Sequence, residues 1–142
     1  MTRPQGQAIV EEIASECLLS QWRKVSRLLT GIYDAEMRTS GLQSSQLSLL
    51  VAVAKAGPVR RTDLGKWLHL DPSTLTRNLR VMLKQGWVKD IPDDDDQRST
   101  RLEITGKGRK LLEGIAPAWK RAQARAKKLL GNDGAAFVLG LK

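Results

Sequence analysis

Residues 71–86, DPSTLTRNLRVMLKQG, constrain this chain most, because they must form one helix with two incompatible faces. Asp71 is a good N-cap acceptor, and Pro72 suits the first helical position, where a missing N–H costs nothing. Gly86 supplies the stop. At about 100° per residue, Leu75, Leu79, Met82 and Leu83 share one side, while Ser73, Arg77, Arg80 and Lys84 share the other. The first side needs a core and the second suits a polyanion.

The flanking residues give this helix a context. Before it, Thr62 offers an N-cap for a short helix, TDLGKWLHL, with Leu64, Trp67 and Leu68 directed inward, and Leu70-Asp71-Pro72 makes the turn. After it, WVKDI reads as a strand with Trp87, Val88 and Ile91, PDDDDQRS as a hairpin tip, and TRLEIT as the returning strand with Leu102 and Ile104 on one face. Helix, tight turn, helix and hairpin in that order describe a winged helix-turn-helix over residues 44–105. Residues of the first turns of the second helix, Ser73, Thr74, Thr76, Arg77 and Asn78, are then the ones offered to a major groove, with Arg80 and Lys84 farther along.

Charge agrees with that assignment. The 142-residue chain carries a net charge of +9, and residues 55–89 hold eight Lys/Arg against two acids. Each neutralised phosphate releases counterions, so such a surface favours a polyanionic partner whatever its sequence. Arg60 and Arg61, Lys84 and Arg101 are placed to meet phosphates, whereas Arg77 is placed for a bidentate contact with guanine. Arg98, at the hairpin tip, can enter a narrow minor groove, where negative potential is enhanced. Asp93, Asp94, Asp95 and Asp96 crowd the same tip with like charge. Either they point away from DNA or they hold the wing off it.

The outer segments are helical. Ile9, Ile13, Cys17, Val25, Leu28 and Ile32 form the stripe of one long helix over 8–38. A second helix from Ser44 to Ala56 is expected to bury Leu47, Leu50, Val51 and Val53 or Ala54, and Gly57-Pro58 ends it. Thr105 caps a last helix running from Gly106 to about Leu130, with a kink expected at Pro117. Beyond Gly131-Asn132 lies an apolar tail too short to be stable unless it docks. Helices 8–38 and 106–142 carry more apolar surface than one small domain absorbs, which predicts a homodimer; the alternative is a monomeric bundle in which the stripes pack on each other. A twofold dimer matches a palindromic site with half-sites about 34 Å apart. The whole chain, 1–142, is read as a single mainly α domain with a small β-hairpin wing.

Other functions find little support. One Cys and one His leave no internal disulfide and too few soft ligands for structural zinc, and no cofactor is called for. His69, in the turn before the two-faced helix, has no partner for catalysis, and Gly106-Lys107-Gly108 lacks the spacing of a phosphate-cradling loop. No catalytic residue is assigned. Without a signal sequence or a run long enough to span a membrane, the expected location is the cytoplasm.

With these residues in place, the chain resembles the MarR family of winged-helix transcription regulators. The likeness is carried by LLTGIYDAEMRTSGLQSSQLSLL, by GPVRRTDLGKWLHLDPSTLTRNLRVMLKQGWV, and by the D-x-R wing pattern of Asp96-Gln97-Arg98 leading into Thr105-Gly106-Lys107-Gly108. The resemblance implies an obligate homodimer with intertwined first and last helices, the fourth helix in the major groove, and the wing along the minor groove. It also implies that Asp96 orients Arg98. Relief of binding by a small phenolic effector is implied as well, with Trp22 and Trp119 as candidate pocket residues and Arg23, Arg27 or Arg38 as candidate carboxylate partners. Trp67 and Trp87 are assigned to the winged core. Some relatives in this family use a cysteine in the first helix as a peroxide sensor; here Cys17 lies on the apolar stripe between Glu16 and Leu18, an environment that suits a buried structural thiol better than a reactive one. The functional expectation is a homodimeric, sequence-specific repressor. The rivals are an architectural or nonspecific DNA-binding protein without an effector, and a winged helix whose basic face meets an acidic protein.

Overall fold

The computed structural model describes residues 6–141. Six helices and one hairpin follow in order: α1 (Gln7–Glu16), α2 (Leu18–Met37), α3 (Ser44–Ala56), α4 (Arg61–Trp67), α5 (Pro72–Lys84), β1 (Val88–Pro92), β2 (Thr100–Ile104) and α6 (Gly106–Gly140). A 3₁₀ turn, Arg38–Ser40, joins α2 to α3. The mainly helical class with a two-stranded antiparallel wing is the one the sequence predicts.

The core is built where α3, α4 and α5 meet the hairpin. Leu49, Leu50 and Val53 of α3, Leu64 of α4, and Leu75, Leu79 and Met82 of α5 close on Trp87, Val88, Leu102 and Ile104. The hairpin pairs Val88 with Ile104 and Pro92 with Thr100, and Val59 forms a single antiparallel bridge to it by exchanging backbone bonds with Leu102 at 2.8 and 3.0 Å. The wing root is thereby stitched to the segment entering α4.

Local chemistry explains most boundaries. Asp71 accepts from the Thr74 backbone N–H at 2.9 Å, with Pro72 opening α5. At the entry to α3, Asp34 of α2 accepts from the Ser44 N–H at 2.7 Å, and Gln46 accepts from the Gln43 N–H at 3.1 Å. That second bond puts Gln46 inside and rotates the buried face of α3 to Gln46, Leu49, Leu50 and Val53; Leu47 is only half-buried and Val51 is exposed, contrary to expectation. The turn after α4 places His69 at φ 51°, with the Leu70 N–H reaching the Gly65 carbonyl at 2.9 Å. His69 thus occupies the left-handed position that ends a helix.

Several expectations need correction. The helix read over 8–38 is two helices, because Cys17 is extended (φ −70°, ψ 105°). Its α1 part buries no residue, so no core packing holds it in line with α2. Helix α4 starts at Arg61, with Arg60 rather than Thr62 at its N-cap. Trp67 is 58% exposed and not in the core, since the inward stripe of this two-turn helix runs through Leu64 and Leu68. In α6 the backbone stays helical at Pro117, which faces solvent, so the carbonyl deprived of its donor is not sealed in the core; the break is at Gly131 (φ 71°, ψ 170°). The tail beyond Gly131 is helical and docks, with Phe137 edge-on to Trp22 at 6.4 Å between ring centres. Helices α2 and α6 are further tied by Glu36 to Arg121 and Arg125 at 3.0 and 3.2 Å, and by the Tyr33 hydroxyl donating to Gln123.

Candidate nucleic-acid interface

Helix α5 presents its polar face to solvent from end to end. Leu75, Leu79 and Met82 are buried, while Ser73, Thr76, Arg77, Arg80 and Lys84 are exposed. The N-terminal hydroxyls are committed: Ser73 and Thr74 donate to the Asp71 carboxylate at 2.6 and 2.7 Å, holding it well below the usual carboxylate range. Asn78 donates to the Thr74 carbonyl at 3.1 Å and accepts from Ser45 of α3 at 3.2 Å, so it braces α5 against α3. Among the described residues Arg77, Arg80 and Lys84 form no intramolecular ion pair. Three uncommitted cations therefore stand in a row on one exposed face.

The wing behaves differently. Asp93 has a side chain with no exposure and accepts from Arg60 Nε at 2.6 Å, Arg101 Nε at 3.0 Å, Ser99 Oγ at 3.1 Å and the Asp95 N–H at 3.0 Å. The Arg60 guanidinium, above all, holds the Asp93 carboxyl far below its ordinary range. Asp95 pairs with Arg101 at 2.8 Å. Arg61 grips Asp90 at 2.7 and 3.0 Å and reaches Thr100 at 3.2 Å. Lys89 and Glu103 pair across the strands at 3.4 Å. Arg60, Arg61 and Arg101, assigned from sequence to phosphates, are thus engaged in intramolecular pairs with Asp93, Asp95 and Asp90.

The crowding of aspartates resolves in the same way: Asp93 and Asp95 turn back onto arginines. Asp96 accepts from the Arg98 backbone N–H at 3.0 Å, so any orienting effect on Arg98 runs through the turn and not through the guanidinium. Arg98 itself is exposed. The clamp on Asp93 escaped the sequence reading, yet a signal existed. In the hairpin register Asp93 falls opposite Ser99 and diagonal to Arg101, which is within reach of a long side chain.

A cavity of about 420 Å³ lies between α2, α3 and α6, lined by Trp22 and Trp119 together with Val25, Leu29, Tyr33 and Leu47, and edged by serine and threonine hydroxyls. No charged side chain lines it; Arg23 and Arg27 are absent from its wall, and Arg38 borders a different hollow with Asp34 and Gln43. Trp22 and Trp119 are 46% and 39% exposed, so the cavity is open on that side. Cys17 is half-exposed at the α1–α2 junction and not buried as expected; the Ser20 hydroxyl, with nearby backbone N–H groups, holds its thiol below the ordinary value. Among the described residues no cluster of three or more His, Cys, Asp or Glu stands where it could hold a metal ion, and no helix is long and apolar enough to cross a membrane.

Comparison with known proteins places this arrangement. Residues 42–100 match the model of the MarR family. An uncharacterized HTH-type transcriptional regulator of Bacillus subtilis, YdgJ, is 25% identical over 133 residues, covering 93% of this chain and 77% of that protein. Among solved structures, a probable transcriptional regulator from Pseudomonas aeruginosa shares the fold with a TM-score of 0.80 at 20% identity, over 89% of this chain and 95% of the other. A mutant MarR from E. coli, solved in complex with operator DNA, gives the same TM-score of 0.80 at 20% identity over 89% and 91% of the two chains.

Proposed function

We propose that this chain, whose residues 42–100 match the MarR family model, is a transcription regulator of that family: a homodimeric repressor that binds double-stranded operator DNA in sequence-specific fashion. The observation that carries the proposal is the exposed row of Arg77, Arg80 and Lys84 on a helix whose other face is locked into the core. In this arrangement α5 enters the major groove, its first turns reading bases and Lys84 meeting the backbone. The MarR solved with operator DNA has the same fold, which supports this placement. That the chain is not an enzyme agrees with its family, whose relatives described above are transcriptional regulators.

The dimer follows from what the protomer leaves uncovered. Ile9, Val10 and Ile13 of α1, Leu18 and Leu19 of α2, and Leu129, Phe137 and Leu139 of α6 are all more than 45% exposed. Apolar surface on that scale marks an association face, and a second copy of the chain supplies the matching helices. Repression is steric: the dimer occupies an operator until an effector changes the separation of its two α5 helices, which requires the effector to prefer the form that does not fit DNA.

Selection of duplexes from a random pool, followed by fluorescence anisotropy at near-physiological salt, tests the main claim. A preference of about a thousandfold or more over shuffled DNA is expected, at two chains per duplex. Near-equal affinities would favour an architectural protein using the same basic face.

The effector site is the cavity between Trp22 and Trp119, and its uncharged wall suits a neutral aromatic molecule with a hydrogen-bonding group. A buried carboxylate without a cation is costly. Phenol is therefore expected to quench tryptophan emission saturably and to weaken DNA binding, with benzoate at least about tenfold poorer and Trp119→Ala insensitive to both. Equal potency of benzoate would contradict the neutral-ligand assignment.

A further inference from the structure

The hairpin is an unpromising DNA-binding element by composition, since residues 88–104 contain six acids and only three bases. A net negative arm beside a phosphate backbone is repelled unless its charge is dealt with internally. Two of the arginines that deal with it come from outside the hairpin. Arg60, at the N-cap of α4, binds Asp93, and Arg61, the first residue of α4, binds Asp90. Arg101, from β2, completes the set on Asp93 and Asp95.

Asp93 is the centre of this arrangement. Its carboxylate is sealed from solvent and takes two donors on each oxygen: Arg60 and Ser99 on Oδ2, Arg101 and the Asp95 N–H on Oδ1. Those donors come from three places, namely the start of α4, the hairpin tip and β2. A carboxylate saturated in this way has one geometry. Directly beyond it, Asp96 holds the Arg98 N–H and its carbonyl accepts from Ser99 at 3.0 Å, so the tip is shaped from the same anchor. Among the described residues the Arg98 guanidinium forms no ion pair.

We propose that Asp93 is the positioning residue of the wing: by drawing Arg60 and Arg101 inward it offsets part of the negative charge of the acid-rich hairpin and fixes the hairpin so that Arg98 is the cation presented to DNA. This rests on the DNA-binding function proposed above. It makes Arg60 and Arg101 struts and not phosphate ligands, and the two roles predict opposite signs. If the arginines served phosphates, replacing Asp93 would release them and tighten binding. If they are struts, the same replacement loosens the wing and removes the benefit of Arg98.

A double-mutant cycle on the duplex enriched by the wild-type protein separates these cases. Asp93→Asn is expected to weaken binding about tenfold, and adding Arg98→Ala is expected to cost less than about twofold more, although Arg98→Ala alone costs about tenfold. A global folding defect would not erase the effect of one exposed tip residue selectively. Ser99→Ala, which removes one donor and keeps both ion pairs, serves as the second variant should Asp93→Asn not fold: about threefold weaker binding is expected, again absent in the Arg98→Ala background. Unchanged or tighter binding by the Asp93 variant, or a full Arg98→Ala penalty in its presence, overturns the proposal while leaving the DNA-binding function intact. Failure of the wild-type protein to enrich any duplex overturns that function and the wing assignment with it.

Discussion

Gly108→Ala is expected to destabilise the protein by about 3 kcal/mol or more, whereas Gly114→Ala, only six residues along the same helix, is expected to stabilise it by roughly 0.5–1 kcal/mol. A Cβ on Gly108 would stand 2.2 Å from the Trp87 carbonyl oxygen and 2.8 Å from Ile104 Cγ1. The obstacle is largely backbone, which cannot swing aside as a flexible side chain could. Nor is the neighbourhood free to open. Thr105 caps Gly108 at 3.0 Å while its own hydroxyl and N–H bond the Gly86 and Trp87 carbonyls, so the start of α6 and the entry to β1 share one hydrogen-bonded joint. At Gly114 an added Cβ meets nothing within 4 Å, leaving only the gain in helix propensity. Urea unfolding of the two variants checks both signs, and a midpoint for Gly108→Ala within error of wild type would show that the joint yields.

The parts of the fold legible in the sequence are those fixed by short-range chemistry. Asp71-Pro72 announces α5 because the cap and the proline act within one turn. Gly131 announces the break in α6 because a left-handed residue is needed there. The failures share the opposite character. Nothing near Cys17 marks a break, as no glycine or proline interrupts the stripe, and α1 buries no residue whose position could reveal its direction. Pro117 was over-interpreted because its consequence depends on whether the orphaned carbonyl faces water or core, and that is a tertiary property. Trp67 was misplaced because a two-turn helix offers too little periodicity to choose between adjacent faces.

The candidate site divides along the same line. The amphipathic pattern of α5 sorts Arg77, Arg80 and Lys84 from Leu75, Leu79 and Met82 without knowledge of anything distant. The roles of Arg60 and Arg61 do not emerge that way, because their partners lie 33 and 29 residues downstream, and a run of aspartates looks alike whether it points out or in. Similarly, the cavity between Trp22 and Trp119 joins side chains from opposite ends of the chain, and its lack of charge follows from how α2 and α6 are rotated against α3.

Arg77→Ala is expected to weaken binding to the enriched duplex by about 1–3 kcal/mol and to relax discrimination at one base pair, whereas Lys84→Ala should weaken all sequences alike and lower the salt slope by about one. The difference comes from position on α5. Arg77 lies in the second turn, on the exposed side and free of internal partners, where a planar fork can meet the acceptor pair of a guanine edge. Lys84 closes the helix, two turns farther along, and carries a point charge suited to a phosphate. The buried Leu75, Leu79 and Met82 keep the helix from rolling, so neither side chain can take over the other's place. Anisotropy titrations of both variants against the enriched duplex, its single-base variants and shuffled DNA separate the roles. Equal losses for Arg77→Ala on enriched and shuffled DNA would assign it to the backbone and leave Thr76 and Arg80 as the base-reading candidates on this face.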